Sequence, residues 1–136
     1  MRQVAQPDFC VVCTEALWLQ LLARVNLIDQ VIVSPTCSTE ELDAHITIEV
    51  TLVPLAHLRS PIGAAYISRK GVKEAYHVRW FDNGTEIEAW RNLTRVDFGC
   101  ARNTIYEVEV MFESSEIRKD EKGRTVDRRQ VRVDAY

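Results

Sequence analysis

The chain has 136 residues, of which 46% are hydrophobic and 27% charged, with only five Gly and four Pro. That is the size of one ordinary domain with enough apolar material for a core, and it excludes a disordered or collagen-like chain. Seventeen Lys and Arg against twenty Asp and Glu leave a net charge of −3, which argues against a nucleic-acid partner, because such surfaces need clustered positive charge.

The apolar stretch 16–28 is interrupted by Gln20, Arg24 and Asn26, so it falls short of the run of about 20 apolar residues that crosses a membrane. The first residues, with Pro7 and Asp8, do not read as a signal peptide. From Thr14 the residues Leu17, Trp18, Leu21, Leu22, Val25 and Ile28 recur at spacings of three and four. This period predicts an amphipathic helix with one buried stripe, and Thr14 is the expected N-cap.

Near residue 29 the helical period gives way to short runs rich in Val, Ile, Thr and aromatics. Strands are expected over 30–34, 45–53, 75–82, 86–90, 94–98, 104–114 and 128–134. Ile46, Ile48, Val50 and Leu52 alternate with Thr47, Glu49 and Thr51, and Tyr106, Val108, Val110 and Phe112 oppose Glu107, Glu109 and Glu113. Each set gives a strand with one buried and one wet face. Asp82-Asn83-Gly84 is a tight-hairpin signal, because Asn and Gly accept positive φ, and the stretch 119–123 reads as a second, wetter connection. The stretch 55–72, with Pro61, Gly63 and Gly71, is expected to be irregular, with room for an extra edge strand.

The expected fold is therefore mainly β: an immunoglobulin-like antiparallel β-sandwich of about seven strands, preceded by one N-terminal amphipathic helix. Residues 1–29 form the Cys-x-x-Cys segment and connecting helix, and 30–136 form the sandwich. Trp80 resembles the Trp that fills such sandwiches from strand C, and Tyr106 a tyrosine-corner residue. The Cys usual two positions later is Val108, so the inter-sheet disulfide is absent.

Four cysteines stand at 10, 13, 37 and 100. Cys10 and Cys13 have the two-residue gap of zinc knuckles and of redox dithiols, and they are the candidates for a metal. A zinc site needs two further ligands, which Cys37 and Cys100 do not supply as a second close pair. The thioredoxin-like reading lacks its βαβ setting, which leaves plain disulfides or buried thiols as the expectation, with all three pairings open. His45, His57 and His77 are scattered, and no His-Glu-x-x-His segment exists in the chain, so the local chemistry of a zinc peptidase is missing. The carboxylates Glu107, Glu109 and Glu113 read as a solvated strand face rather than a calcium site. Asn83-Gly84-Thr85 and Asn92-Leu93-Thr94 fit glycosylation sequons.

The segment containing Met1-Arg2, Phe9-Cys10, Cys13, Glu15-Ala16-Leu17, Ile28-Asp29 and Ser34-Pro35 resembles a region of the IgA-peptidase family of secreted zinc metallopeptidases. That resemblance covers about the first 35 residues. It implies a post-catalytic helix and linker leading into an immunoglobulin-like domain, with the catalytic zinc site upstream of Met1. No cofactor is expected in this chain, and zinc only in the peptidase domain that it lacks. The expected function is a non-catalytic accessory or binding module, not an enzyme by itself, in an extracellular or periplasmic setting. Its partner is the upstream peptidase domain or a protein or glycan surface. The stripe Leu17, Trp18, Leu21 and Leu22 is the expected interface, either with that domain or in a homo-oligomer. The alternatives are a free-standing adhesion or protein-interaction module and a small zinc or thiol-redox protein.

Overall fold

Helix α1, Val11–Leu22, starts on Cys10 rather than on Thr14. Cys10 holds extended backbone angles while its Sγ accepts the Cys13 N–H at 3.2 Å, which is how an N-cap side chain satisfies a first-turn donor. The helix also ends earlier than its apolar period, because Ile28 already belongs to β1 (Ile28–Pro35). The expected boundary between residues 29 and 30 thus falls inside a strand. The computed structural model describes residues 10–35, 45–55, 60–71, 73–99 and 104–133.

Six further strands follow: β2 (His45–Leu52), β3 (Glu74–Asp82), β4 (Thr85–Glu86), β5 (Arg95–Gly99), β6 (Thr104–Ser114) and β7 (Val126–Val133). They form two antiparallel sheets, one of three strands in the order β1-β2-β5 and one of four in the order β4-β3-β6-β7. The described chain is accordingly mostly β, as its alternating runs predict. Ile46, Ile48 and Val50 of β2 and Val96 of β5 share one buried cluster with Val78 and Trp80 of β3, Val108, Val110 and Phe112 of β6, and Val131 and Val133 of β7. Fully burying side chains of this size stabilises by about 1.5–3 kcal/mol each, so the two sheets gain most of their stability from each other.

Two expectations need correction. The run 86–90 is not a strand of its own: β4 is two residues long, and Glu88–Trp90 turns as a 3-10 helix. That turn brings Trp90 onto the core aromatics, 6.0 Å from Trp80, 5.2 Å from Phe98 and 5.4 Å from Tyr106. Trp80 Nε1 donates to the Leu93 carbonyl at 2.9 Å, so the buried indole keeps its hydrogen bond.

The second correction concerns 55–72, where a helix stands in place of an edge strand. Helix α2, Pro61–Lys70, has Pro at its first position, and the Ser60 hydroxyl accepts the Gly63 N–H at 3.0 Å. Gly71 follows at φ 66°. Ser before Pro at the start and a left-handed Gly at the end are helix signals that the Pro and Gly content of this stretch masks. The expected N-terminal helix is present, and α2 is an additional one.

The Asp82-Asn83-Gly84 signal holds. Asp82 pairs with Thr85, and Asn83 and Gly84 take φ values of 48° and 81°, both in the range that a two-residue hairpin matched to strand twist demands.

Candidate functional site

Every interface and metal candidate within the described residues lies on α1 or at its N-cap. The helix is tied to β6 and to the connection between β6 and β7 along the stripe Glu15, Trp18, Leu19 and Leu22. The Trp18 ring sits 5.3 Å from Phe112, and its Nε1 donates to Glu116 at 2.6 Å. Glu15 accepts three hydrogen bonds from the connection after β6: the Arg118 N–H at 2.7 Å, the Lys119 N–H at 2.9 Å and the Arg118 guanidinium at 2.8 Å. Arg124 donates to the Leu19 carbonyl at 3.2 Å, and Leu22 is buried in the common core. The Arg118 guanidinium first, and then the Lys119 and Arg118 amides, hold the Glu15 carboxyl below its ordinary value.

The link from α1 to β1 is equally pinned. Leu27 and Ile28 are fully buried, and Val53 N–H donates to the Leu27 carbonyl at 3.0 Å. Ile28 N–H donates to Asp127 at 3.0 Å, and Arg129 donates to the Ile28 carbonyl. Buried and hydrogen-bonded on both sides, this segment makes α1 part of the folded body.

The expected interface stripe is therefore divided. Trp18 and Leu22 point to the sheet, whereas Leu17 is 53% and Leu21 44% exposed. The seam runs through Glu15, Trp18 and Leu22, spaced three and four apart, and Leu17 and Leu21 lie beside it. Val11 and Val12 are exposed as well. Between α1 and the β6–β7 connection lies an open groove of about 310 Å³ whose lining includes Val12, Ala16, Leu19, Lys119 and Lys122.

Glu15, Glu116 and Arg124 are the residues that composition and period alone pass over. The one available signal was Glu15 standing three residues before Trp18, on the same helical face.

Cys10 and Cys13 are both free and exposed at the start of α1, so for this pair the expectation of a disulfide or buried thiols gives way. The hydrogen bond from the Cys13 side chain lowers Cys10 below the ordinary thiol value, and the same bond raises Cys13. Cys37, Cys100 and His57 lie outside the described residues. Among the described residues no three His, Cys, Asp or Glu side chains gather as a metal-binding group.

Within the acidic strand face, Glu109 is paired with arginines on both neighbouring strands. Glu109 is only 6% exposed. It takes Arg79 on one carboxylate oxygen, at 2.8 Å, and Arg128 on the other, while His77 Nε2 lies 2.7 Å from Glu113. Of the two sequon asparagines, Asn83 sits exposed in the hairpin turn and donates to Asp82 at 2.8 Å. Asn92, at φ 61°, accepts the Val78 N–H at 3.1 Å and so fastens its loop to β3.

No helix among the described residues is long and apolar enough to cross a membrane. Comparison with protein-family models finds no match, and a search of curated proteins finds no relative.

Proposed function

We propose that this chain is a non-catalytic, immunoglobulin-like accessory domain that attaches to a neighbouring protein surface through the outer face of α1. The two-faced helix carries this reading. One side is fastened to the sheet by Trp18, Glu15 and Leu22, while Leu17 and Leu21 present apolar surface outward. A clustered apolar ridge on a fixed helix is the usual mark of an interaction site.

Strand order supports the immunoglobulin-like part. With β1, β2 and β5 taken as strands A, B and E, the other sheet reads C′-C-F-G in β4-β3-β6-β7. Trp80 then stands on strand C and Tyr106 near the start of strand F. Where such domains usually carry a cysteine, Val108 is packed in the apolar core, with the Trp80, Trp90, Phe98 and Tyr106 rings beside it.

The resemblance of the first 35 residues to the IgA-peptidase family makes a zinc metallopeptidase domain the proposed neighbour, in a secreted setting. Sandwich domains host many functions, so the partner is argued from α1 and not from the fold. Titration calorimetry against a catalytic domain of that family tests the proposal. Binding that weakens at least about tenfold in a Leu17→Glu/Leu21→Glu variant supports it, and no heat with the wild type, or equal heat with both, overturns it. The chain alone should cleave no protein substrate with or without added zinc; chelator-sensitive cleavage would contradict its non-catalytic role.

The same ridge also favours a second reading, a free-standing interaction module that pairs with another copy through α1. Sedimentation of the chain by itself separates the two, because only self-pairing gives a dimer that the double variant abolishes.

A further inference from the structure

The start of α1 places two exposed, free cysteines one helical turn apart. Cys10 occupies the N-cap and Cys13 the third helical position, with Cys10 Sγ receiving the Cys13 N–H at 3.2 Å. No other described His, Cys, Asp or Glu completes a metal-binding group around them. The missing βαβ setting does not decide the chemistry, since what matters is the one-turn spacing of the two cysteines, their exposure and the positive end of a 12-residue helix.

We propose that Cys10 and Cys13 form a surface dithiol that closes reversibly to an intramolecular disulfide by exchange with low-molecular-weight disulfides. Cys10 thiolate attacks one sulfur of the incoming disulfide, whose S–S bond breaks and releases the first thiolate. The product is a mixed disulfide on Cys10. Cys13 gives its proton to water and attacks Cys10 Sγ, forming the Cys10–Cys13 bond and expelling the second thiolate. Two protein thiols are thereby oxidised by two electrons, and the small disulfide is reduced to two thiols.

The order of attack follows from the geometry. Cys10 is the sulfur stabilised by the helix terminus and by donors from Cys13, while Cys13 keeps its proton until Cys10 is derivatised. Closure spans a single helical turn, since the Cys13 amide already lies 3.2 Å from Cys10 Sγ. This inference is independent of the accessory-domain reading, and either can fail alone.

The sequence makes the test direct. Trypsin releases peptide 3–24 with Cys10 and Cys13 as its only cysteines, and places Cys37 in 25–59 and Cys100 in 96–102. The full chain is equilibrated with oxidised glutathione, acid-quenched, alkylated and mapped by mass. The expected product is peptide 3–24 lighter by two hydrogens, restored by dithiothreitol. Cys13→Ser should accumulate a glutathione mixed disulfide on Cys10, and Cys10→Ser should react at Cys13 at least about fivefold more slowly. Unchanged circular dichroism confirms that both variants fold. Separate glutathione adducts on both cysteines, equal rates in the two variants, or a bridge from peptide 3–24 to 25–59 or 96–102 would overturn the proposal. Zinc retained through purification that blocks both thiols until chelated would overturn it in favour of a metal site.

Discussion

Replacing Trp18 by Ala removes the largest contact between α1 and the sheets. A Trp side chain carries about 150–250 Å² of surface, and Trp18 is half-buried, so about 100 Å² of apolar area is returned to water, or about 2.5 kcal/mol. Loss of the 2.6 Å bond to Glu116 adds about 1 kcal/mol, since that carboxylate can turn to solvent. A total near 3.5 kcal/mol corresponds to a fall of about 14 °C in melting temperature for a domain of this size. Trp18→Phe keeps a ring against Phe112 and should lose about one third of that. Thermal unfolding by circular dichroism gives the global value, and amide exchange over residues 11–22 tells whether the helix is released first. A shift of less than about 2 °C with unchanged exchange in α1 would refute the docking on which the account rests.

Three other outcomes follow from the same structure. Glu15 is lowered on folding from its ordinary 4.5, first by Arg118 and then by the backbone donors. Its contribution is therefore present above that value and lost as the pH falls through the lower folded value. Asp97, lowered first by the Thr47 hydroxyl, acts in the same direction, as does Asp120, where backbone donors led by Thr125 outweigh the opposing effect of burial. Urea midpoints measured from pH 6 to pH 3 should fall below about pH 4.5, and Glu15→Gln should be less stable at pH 6 and show a shallower fall; an identical pH profile would contradict the assigned contacts.

Gly84→Ala should cost about 1 kcal/mol, because φ is 81° although a Cβ meets nothing. Gly99→Ala, also in open space but without positive φ, should be neutral. Equal unfolding free energies for the two would remove the conformational argument. Glu109→Ala leaves Arg79 and Arg128 facing each other over a nearly buried position and should cost about 2 kcal/mol in chemical denaturation, whereas no change would mean that the pair of bridges contributes nothing.

Much of the strand framework was legible because its signal repeats along the chain. Ile46, Ile48 and Val50, or Val108, Val110 and Phe112, declare a buried face by alternation alone, and the ends of β6 match the expected run 104–114. Short elements were harder. In 86–90, Ile87 and Trp90 look like strand residues, but the tertiary demand to bring Trp90 onto Phe98 and Tyr106 bends them into a turn.

The helix was legible in kind but not in orientation. Leu17, Trp18, Leu21 and Leu22 are all apolar, so period alone cannot say which edge of the stripe meets the sheet. Glu15 decides it, through partners more than one hundred residues away in sequence. The start of α1 was missed because Cys is a poor N-cap by composition, and only the Cys13 amide bond makes it one.

The central claim is that α1 has one face fixed to the body and one face open to solvent. Solvent paramagnetic relaxation of the leucine methyls in the intact chain measures both at once. The account predicts strong broadening at Leu17 and Leu21 and protection at Leu22. Broadening of Leu22 equal to that of Leu17, or protection of Leu17 and Leu21 in the monomer, would contradict it.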